Sequence, residues 1–205
     1  MIDAGDEDIV RSRNENRYMV YQFPYRASRR GEVLRPTIQI ELTYATLRLA
    51  RAMLPISSFV AEAFGRAPEV PMMPCVSATE TAAEKVVSLT RRTAMDLAGL
   101  SHKADPALIR HIYDLHLMSN LVDHGEVAAM AKGIAVQDAL EFRNQYPAYY
   151  ADIAGETQKA LNALSTDPLY RERFTGFVAE MVYGVQADFD DALSTVMKVA
   201  KLLIE

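Results

Sequence analysis

The sequence has a single cysteine, Cys75, among its 205 residues. One cysteine excludes an intramolecular disulfide framework and any zinc cluster built on cysteine ligands, and it favours a reducing compartment. No apolar run reaches the roughly 18 residues that span a bilayer. The first residues also lack the basic-then-apolar order of a secretory signal. The sequence therefore predicts a cytoplasmic protein that does not enter a membrane.

Glycine-rich loops are missing as well. The nine glycines are scattered along the chain, no two of them are adjacent, and none forms a GxG pattern. Loops that surround phosphate groups with backbone N–H donors need closely spaced glycines. A phosphate-binding loop of that kind is therefore excluded.

Charge of either sign is only moderate. The 22 Lys and Arg residues and 27 Asp and Glu residues give a net charge of -5. This balance excludes a broadly basic surface for nucleic acids, so any contact with a polynucleotide must come from a local patch. Half of the residues (50%) are hydrophobic, which predicts a folded domain and not a disordered tail.

The patterning of the chain predicts an α+β protein. Residues 1–15 are polar and are predicted to form a frayed terminus. Residues 16–76 are predicted to form a partial α/β region, with strands at residues 17–24 and 36–43 that alternate apolar and polar side chains. Residues 77–205 have a predominantly helical pattern.

Short signals refine this division. A turn is predicted at residues 28–32, so that the two strands form a hairpin, and a short helix is predicted at residues 56–64 between prolines. Ser77 and Glu80 form an S-x-x-E capping box, and Asp105 followed by Pro106 is typical of a second helix start. These signals predict helices over residues 77–98, 105–120, 126–143, 147–164 and 168–203, the last with a break near Gly184.

Three cations lie on the first long helix. At 3.6 residues per turn, Lys85 and Arg92 lie along one edge, with Arg91 beside them. A lysine ammonium and arginine guanidinium groups place N–H donors against phosphate oxygens, so this group indicates a polyphosphate site. The alternative is a solvated helix face with a Glu84–Ser88–Arg91 ladder.

The next helix has a second candidate, Arg110 and Asp114, which are four residues apart. Asp114 could orient a cation of the preceding helix or accept a proton; the alternative is a pair with Arg110 within the helix. His111 and His116 are five residues apart, and this spacing does not form a helical metal pair.

Glu41 is the third candidate. It lies on the polar side of the second strand, opposite the apolar side chains of that strand. Strand carboxylates that face a cleft are common ligands of Mg²⁺, although one carboxylate does not hold a catalytic magnesium ion by itself.

Three segments together resemble a known family: the strand TIQIEL, the helix TETAAEKVVSLTRR and the segment RHIYDLHLM. They resemble the nucleotidyltransferase AbiEii/AbiGii toxin family, the enzymatic partners of bacterial type IV toxin–antitoxin and abortive-infection systems. The resemblance covers roughly residues 16–121, and the helical remainder is compatible with the C-terminal bundle of the family. It implies Mg²⁺-dependent transfer of a nucleotide from a nucleoside triphosphate to an acceptor, which is RNA in some members.

The resemblance also implies residue roles. Lys85 matches the lysine of the A-E-K helix of the family, and Arg91 or Arg92 matches the arginine that follows it. Arg110 and Asp114 match the arginine and the final aspartate of an R-D-x-x-D-L segment. The implied ligands of the nucleotide are therefore Lys85, Arg91, Arg92 and Arg110.

Glu41 matches an acidic residue that the family places on an earlier strand. The resemblance implies that Glu41 binds the magnesium ion. It implies catalytic roles for Glu41, Lys85 and Asp114.

The sequence departs from the family pattern at three places. His111 occupies the position where the family more often has the first aspartate of R-D-x-x-D-L, and residues 93–108 lengthen the link between the two helices. The glycine-rich turn and the D-x-D signature of the family are not found; the triplet Asp6-Glu7-Asp8 fits D-x-D only formally.

Two functions follow from these observations. The first is a nucleotidyltransferase of the AbiEii type that lacks most of its N-terminal metal-binding lobe. The alternative is a catalytically inactive remnant that acts as an interaction module and binds an antitoxin protein or a second copy of itself through an exposed strand edge.

Overall fold

The computed structural model describes residues 9–13, 18–25, 37–101 and 105–204, with only the backbone described for residues 9–13 and 106. The predicted turn at residues 28–32 and the triplet Asp6-Glu7-Asp8 lie outside these ranges. The chain divides into two compact units, Met1–Arg48 and Leu49–Glu205, which are described separately.

The described part of the first unit is a three-stranded antiparallel sheet. Its strands are β1 (Ile9–Arg13), β2 (Tyr18–Pro24) and β3 (Thr37–Thr43), in the order β1-β2-β3. Strands β2 and β3 pair from Tyr18 with Thr43 to Pro24 with Thr37, so the predicted hairpin is confirmed.

The prediction of a frayed terminus is wrong for residues 9–13, because these residues form β1. This strand pairs with β2, from Ile9 beside Tyr21 to Arg13 beside Tyr18. Its sequence, IVRSR, has only two apolar residues and therefore little strand signal of its own. Strand formation depends on pairing with a neighbouring strand as much as on the intrinsic preference of the residues. Pairing with β2 therefore stabilises β1, although the residues of β1 have little preference for a strand.

The alternation predicted for β3 is confirmed. Glu41 lies opposite Val20 and shares its face of the sheet with Gln39, whose amide side chain bonds to Gln22. The apolar residues Ile38, Ile40 and Leu42 lie on the other face and are exposed. The first unit thus presents both a polar face that includes Glu41 and an open apolar face.

The second unit begins with two strands that were not predicted, β4 (Ala52–Ile56) and β5 (Val70–Cys75), which pair antiparallel. The two strands contain Pro55, Pro71 and Pro74, and these prolines interrupt the residue pattern that is typical of a strand. Proline lacks an N–H donor, and an isolated pair of strands consists of edges only, where proline is tolerated.

Between these strands lies helix α1 (Phe59–Ala63), which is shorter than the predicted helix at residues 56–64. The side chain of Ser58 begins it by accepting a hydrogen bond from the N–H of Ala61 at 3.1 Å. Ile56 instead belongs to β4.

Helices form the remainder of the second unit, as predicted. They are α2 (Ala78–Leu97), α3 (Arg110–Met118), α4 (His124–Glu141), α5 (Pro147–Ala151), α6 (Ile153–Thr166), α7 (Pro168–Met181) and α8 (Phe189–Ile204). Short 3-10 turns at Pro106–Ile109 and Ser119–Leu121 flank α3. Asp152 separates α5 from α6 within the single helix predicted at residues 147–164. No helix among the described residues combines the length and the apolar character needed to cross a membrane.

Helix α2 is the central element of this unit. It packs against α3, α4 and α6, and its buried side chains include Ala83, Val86 and Leu89. Helix α3 contributes Ile112 and Leu115 to the same core. The polar residues that flank these buried positions on α2 and α3 are therefore held on a tightly packed framework.

The start of α2 is fixed by two side chains. The hydroxyl of Ser77 accepts a hydrogen bond from the N–H of Glu80 at 3.1 Å, as the capping box predicts. The buried carboxylate of Glu80 accepts a hydrogen bond from the N–H of Leu49 at 3.0 Å. Glu80 therefore joins the beginning of the second unit to its central helix.

We expect Ser77→Ala to lower the free energy of unfolding by about 1 kcal/mol, because it removes the N-terminal cap of α2. Urea unfolding followed by circular dichroism measures this change. Ser77→Asp retains an acceptor at this position and is the matched control, with a loss close to zero. Equal losses in both variants would show that the cap does not stabilise α2.

Candidate functional site

The first feature of the site is an ion pair between two helices. Lys85 of α2 places its Nζ atom 2.7 Å from Oδ2 of Asp114 on α3. The Lys85 and Asp114 side chains keep 25% and 34% of their surface exposed, so both remain accessible from solvent. Of the two arrangements open to Asp114, the structure shows the one in which it orients a cation of the preceding helix.

The sequence of α3 explains why Asp114 reaches this position. The apolar side of α3 is buried in the core through Ile112 and Leu115, and Asp114 lies at the border of that side. His111 is three residues earlier and thus on the same face as Asp114. Its Nδ1 atom lies 3.4 Å from Nζ of Lys85, so both α3 residues contact one ammonium group.

The His111 imidazole is held in its neutral form. Burial, followed by the positive charges of Lys85 and Arg110, lowers the pKa of His111 from 6.5 to about 4. The negative charge of Asp114 raises this pKa and the charge of Arg92 lowers it, but both effects are smaller. At neutral pH, His111 is therefore an uncharged neighbour of Lys85.

Arg92 forms a second ion pair, with Asp105, which lies before the turn that precedes α3. Its Nη2 atom lies 2.7 Å from Oδ2 of Asp105, and Oδ1 of Asp105 accepts a hydrogen bond from the N–H of Ala107. Partial burial raises the pKa of Asp105, but the bonds from Arg92 and Ala107 outweigh that effect, so the pKa lies below its ordinary value. Asp105 thus remains charged and holds Arg92 in place.

These residues define what we call the α2–α3 cluster. Its members are Lys85, Arg92, Asp105, Arg110, His111 and Asp114. The cluster contains three cations, two carboxylates and one neutral imidazole, so its net charge is about +1 at pH 7.

Arg91 does not belong to this cluster, although it is next to Arg92 in sequence. Its Nε atom lies 2.5 Å from Oδ2 of Asp138 on α4, and its guanidinium group lies 3.9 Å from the ring centre of Phe142. The Arg91 and Asp138 side chains are only 11% and 18% exposed. The structure therefore separates the three cations of α2: Lys85 and Arg92 contact residues of α3 and its preceding turn, and Arg91 links α2 to α4.

Burial also changes the pKa of Asp138 in its pair with Arg91. Loss of hydration raises the pKa of Asp138 above its ordinary value, and the charge of Arg91 offsets only part of the rise. Arg91 therefore offsets part of the cost of burying the Asp138 carboxylate.

A sequence model of the family described as nucleotidyl transferase AbiEii toxin, type IV TA system, matches residues 2–195. The chain belongs to this family. No curated protein and no solved structure matches the chain. The resemblance predicted from residues 16–121 is confirmed, and the match extends through most of the helical region.

Membership of the AbiEii family classes the chain with nucleotidyltransferase toxins of type IV toxin–antitoxin systems. Within this family member, the residues matched to the A-E-K lysine and to the final aspartate of R-D-x-x-D-L meet as the Lys85–Asp114 pair. Residues that are 29 positions apart in sequence are thus in direct contact.

Glu41 lies in the other unit, on β3, with an exposed side chain. The side-chain amide of Gln39 donates a hydrogen bond to its carboxylate. No group of three His, Cys, Asp or Glu side chains that could hold a metal ion occurs among the described residues. Glu41 alone does not meet the ligand requirement of Mg²⁺, so its role in metal binding stays a prediction.

Two members of the cluster were not recognised as functional from sequence. The sequence indicates His111 only as a candidate for a metal pair and as a departure from the family pattern, and Asp105 only as a helix cap. The signal for His111 was its spacing of three residues from Asp114, which places the two side chains on one helix face. No comparable local signal connects Asp105 with Arg92, because residues 93–104 separate them.

We expect the low pKa of His111 to make the folded state less stable as the pH falls from about 6.5 to about 4. In that interval the unfolded chain takes up a proton that the folded His111 does not, so the free energy of unfolding decreases with decreasing pH. After allowance for solvent screening at this half-buried group, the loss amounts to about 1–3 kcal/mol.

Urea unfolding at several pH values measures this dependence, and His111→Asn provides the comparison because asparagine does not titrate. The variant should lose less stability than the original chain between pH 6.5 and 4. Parallel curves for the two proteins would show that His111 is not the group responsible.

Proposed function

We propose that this chain transfers a nucleotide from a nucleoside triphosphate to an acceptor hydroxyl, with the α2–α3 cluster as the binding site for the triphosphate. The observation that supports this proposal most directly is the Lys85–Asp114 pair. It joins two residues that the family motif matches independently, and it holds the lysine ammonium group at a solvent-accessible surface.

The cations of the cluster suit a polyphosphate. Lys85 offers a point charge, and Arg92 and the exposed Arg110 offer planar groups with several N–H donors. Asp105 and Asp114 keep Arg92 and Lys85 in defined positions before the ligand arrives. This preorganisation lowers the conformational entropy lost on binding.

The proposed reaction is an in-line displacement. The acceptor hydroxyl attacks the α-phosphorus and releases its proton to solvent, the bond from the α-phosphorus to the oxygen shared with the β-phosphate breaks, and pyrophosphate leaves. Lys85, Arg92 and Arg110 reduce the negative charge on the phosphates during this step. The magnesium ion implied by the family resemblance remains a proposal in which Glu41 supplies one ligand, and the roles assigned to α2 and α3 do not depend on it.

The acceptor and the location are proposals too. RNA is the acceptor that the resemblance implies, and the local positive charge of the cluster supports an anionic substrate. The single cysteine of the chain supports a reducing compartment, and we propose the cytoplasm as the location. The family description supports an antitoxin as the partner of the toxin.

A transfer assay tests the proposal. The 205-residue chain is incubated with each of the four labelled nucleoside triphosphates and total RNA, with Mg²⁺ or with EDTA. We expect label to enter RNA with at least one nucleotide in the presence of Mg²⁺ and to be lost with EDTA. No transfer and no triphosphate binding would contradict the proposed function.

The alternative function, an interaction module without catalysis, is supported by exposed apolar side chains. On β3, Ile38, Ile40 and Leu42 are 58%, 45% and 47% exposed, and β3 is an edge of the described sheet. An open strand edge with apolar side chains favours pairing with another chain.

Sedimentation measurements together with the transfer assay separate the two functions. A dimer that dissociates in Ile40→Lys and shows no transfer would support the interaction module. A monomer that transfers nucleotides would exclude it.

A further inference from the structure

The contact between His111 and Lys85 extends the proposed triphosphate site by one residue. Nδ1 of His111 lies 3.4 Å from Nζ of Lys85, and Oδ2 of Asp114 lies 2.7 Å from the same nitrogen. Both contacts come from one face of α3 and reach across to α2. A lysine on a flexible four-carbon stem is thus held at two points.

The donors of Lys85 can be accounted for one by one. An ammonium group has three N–H donors and no acceptor. Asp114 takes one donor and His111 takes a second, which leaves the third for a ligand at the exposed side of the pair. A phosphate oxygen is the ligand expected there if the proposed function holds.

The charge of residue 111 determines the net charge of the cluster and therefore how strongly the cluster attracts an anion. With a neutral imidazole, three cations face two carboxylates, namely Lys85, Arg92 and Arg110 against Asp105 and Asp114. A carboxylate at residue 111 would add a third negative charge and bring the net charge of the cluster to zero.

We propose that His111 is a positioning residue for triphosphate binding: as a neutral acceptor it fixes the Lys85 ammonium group without cancelling the positive charge of the cluster. This inference rests on the proposed function for the identity of the ligand. The contact itself, and the protonation state it requires, can be tested without any ligand.

The contact fixes the tautomer of His111. Nδ1 accepts from Lys85 only when it carries no proton, so the proton of the neutral ring must be on Nε2. Burial and the neighbouring positive charges, which lower the pKa of His111 to about 4, keep the ring neutral at pH 7.

Long-range ¹H–¹⁵N spectra of the ligand-free protein at pH 7 test the contact. We expect the Nε2-protonated pattern for His111 and a slowly exchanging ammonium signal for Lys85. That ammonium signal should persist in His111→Asn, whose side-chain oxygen replaces Nδ1, and disappear in His111→Leu. An Nδ1-protonated ring, or a Lys85 signal that is unchanged in His111→Leu, would overturn the inference.

The effect on the ligand is measured by calorimetric titration with ATP at low ionic strength. His111→Asn and His111→Asp have nearly the same shape and differ by one charge. We expect the asparagine variant to bind within about threefold of the original chain and the aspartate variant to bind about three- to tenfold more weakly, with the difference shrinking at high salt. Equal affinity of the two variants for ATP would overturn the charge part of the inference.

The two experiments separate the inference from the proposed function. If the original chain binds no nucleoside triphosphate while the spectra show the Lys85–His111 contact, the proposed function fails and the positioning contact stands. If ATP binds and the spectra show an Nδ1-protonated ring, the positioning role fails and the proposed function stands. Thermal unfolding of each variant confirms that the comparison is made between folded proteins.

Discussion

Lys85→Met is expected to reduce nucleotide transfer by about 10²–10³-fold, the size of effect seen when one preorganised donor to a developing charge is removed. Methionine keeps the length and most of the apolar stem of lysine but has no ammonium group. Asp114 then loses the cation it holds, and the cluster loses one of its three positive charges. Rates of label transfer to RNA under saturating and subsaturating nucleotide give the change in kcat and in kcat/KM.

The chain offers a matched control for this substitution. Lys159 on α6 also pairs with a carboxylate, that of Glu156, at 2.5 Å, but its side chain is 68% exposed and it is not part of the cluster. Lys159→Met should leave transfer within about twofold, because the Lys159 ammonium group is exposed on α6 and is not one of the cations proposed to bind the triphosphate. Similar losses in both variants would mean that Lys85 acts only through general charge or stability.

Asp114→Asn tests the same pair from the other side. The amide keeps a hydrogen-bond acceptor near Lys85 but removes the charge that holds the ammonium group, so we expect a smaller loss of transfer than in Lys85→Met. A loss larger than that of Lys85→Met would indicate that Asp114 has a role of its own, such as the acceptance of a proton.

Arg91→Met is expected to lower the free energy of unfolding by about 3–5 kcal/mol, because it leaves the buried carboxylate of Asp138 without its cation. The guanidinium contact with the Phe142 ring is lost at the same time. Urea unfolding at pH 7 measures the loss. The double variant Arg91→Met/Asp138→Leu should recover most of it, since apolar side chains can replace a buried ion pair.

Arg92→Met is the matched control, because the two arginines are neighbours on the same helix. The Arg92–Asp105 pair is 35% exposed on each side, so this substitution should cost less than about 1 kcal/mol of stability. For ATP binding the order reverses: Arg92→Met should weaken it, and folded Arg91→Met should bind nearly as well as the original chain. A large stability loss in Arg92→Met with little in Arg91→Met would contradict these roles.

The sequence determined most of the helical architecture, since the signals for helix ends are local. Ser77 and Asp105 were predicted as caps, and both accept the expected backbone hydrogen bonds. The break near Gly184 lies between α7 and α8. Strands β2 and β3 were predicted because their side chains alternate with a period of two.

The strands that the sequence does not predict are stabilised by pairing with neighbouring strands. β1 has two apolar residues, and β4 and β5 contain prolines, so none of them shows a clear local pattern. Each exists through hydrogen bonds to a strand that lies elsewhere in the sequence. Pairing of this kind is a property of the folded chain, so the residue types of a short segment do not predict it.

The candidate site shows the same division. The sequence determined which residues are candidates, because Lys85 and Arg92 are cations that can bind phosphate oxygens and Asp114 is a carboxylate at a position matched to the family motif. Only the tertiary structure determines that Lys85 contacts Asp114 and His111, and that Arg91 forms an ion pair with Asp138. Successive residues on a helix point about 100° apart, so the packing of α3 and α4 against different sides of α2 sends two adjacent arginines to different partners.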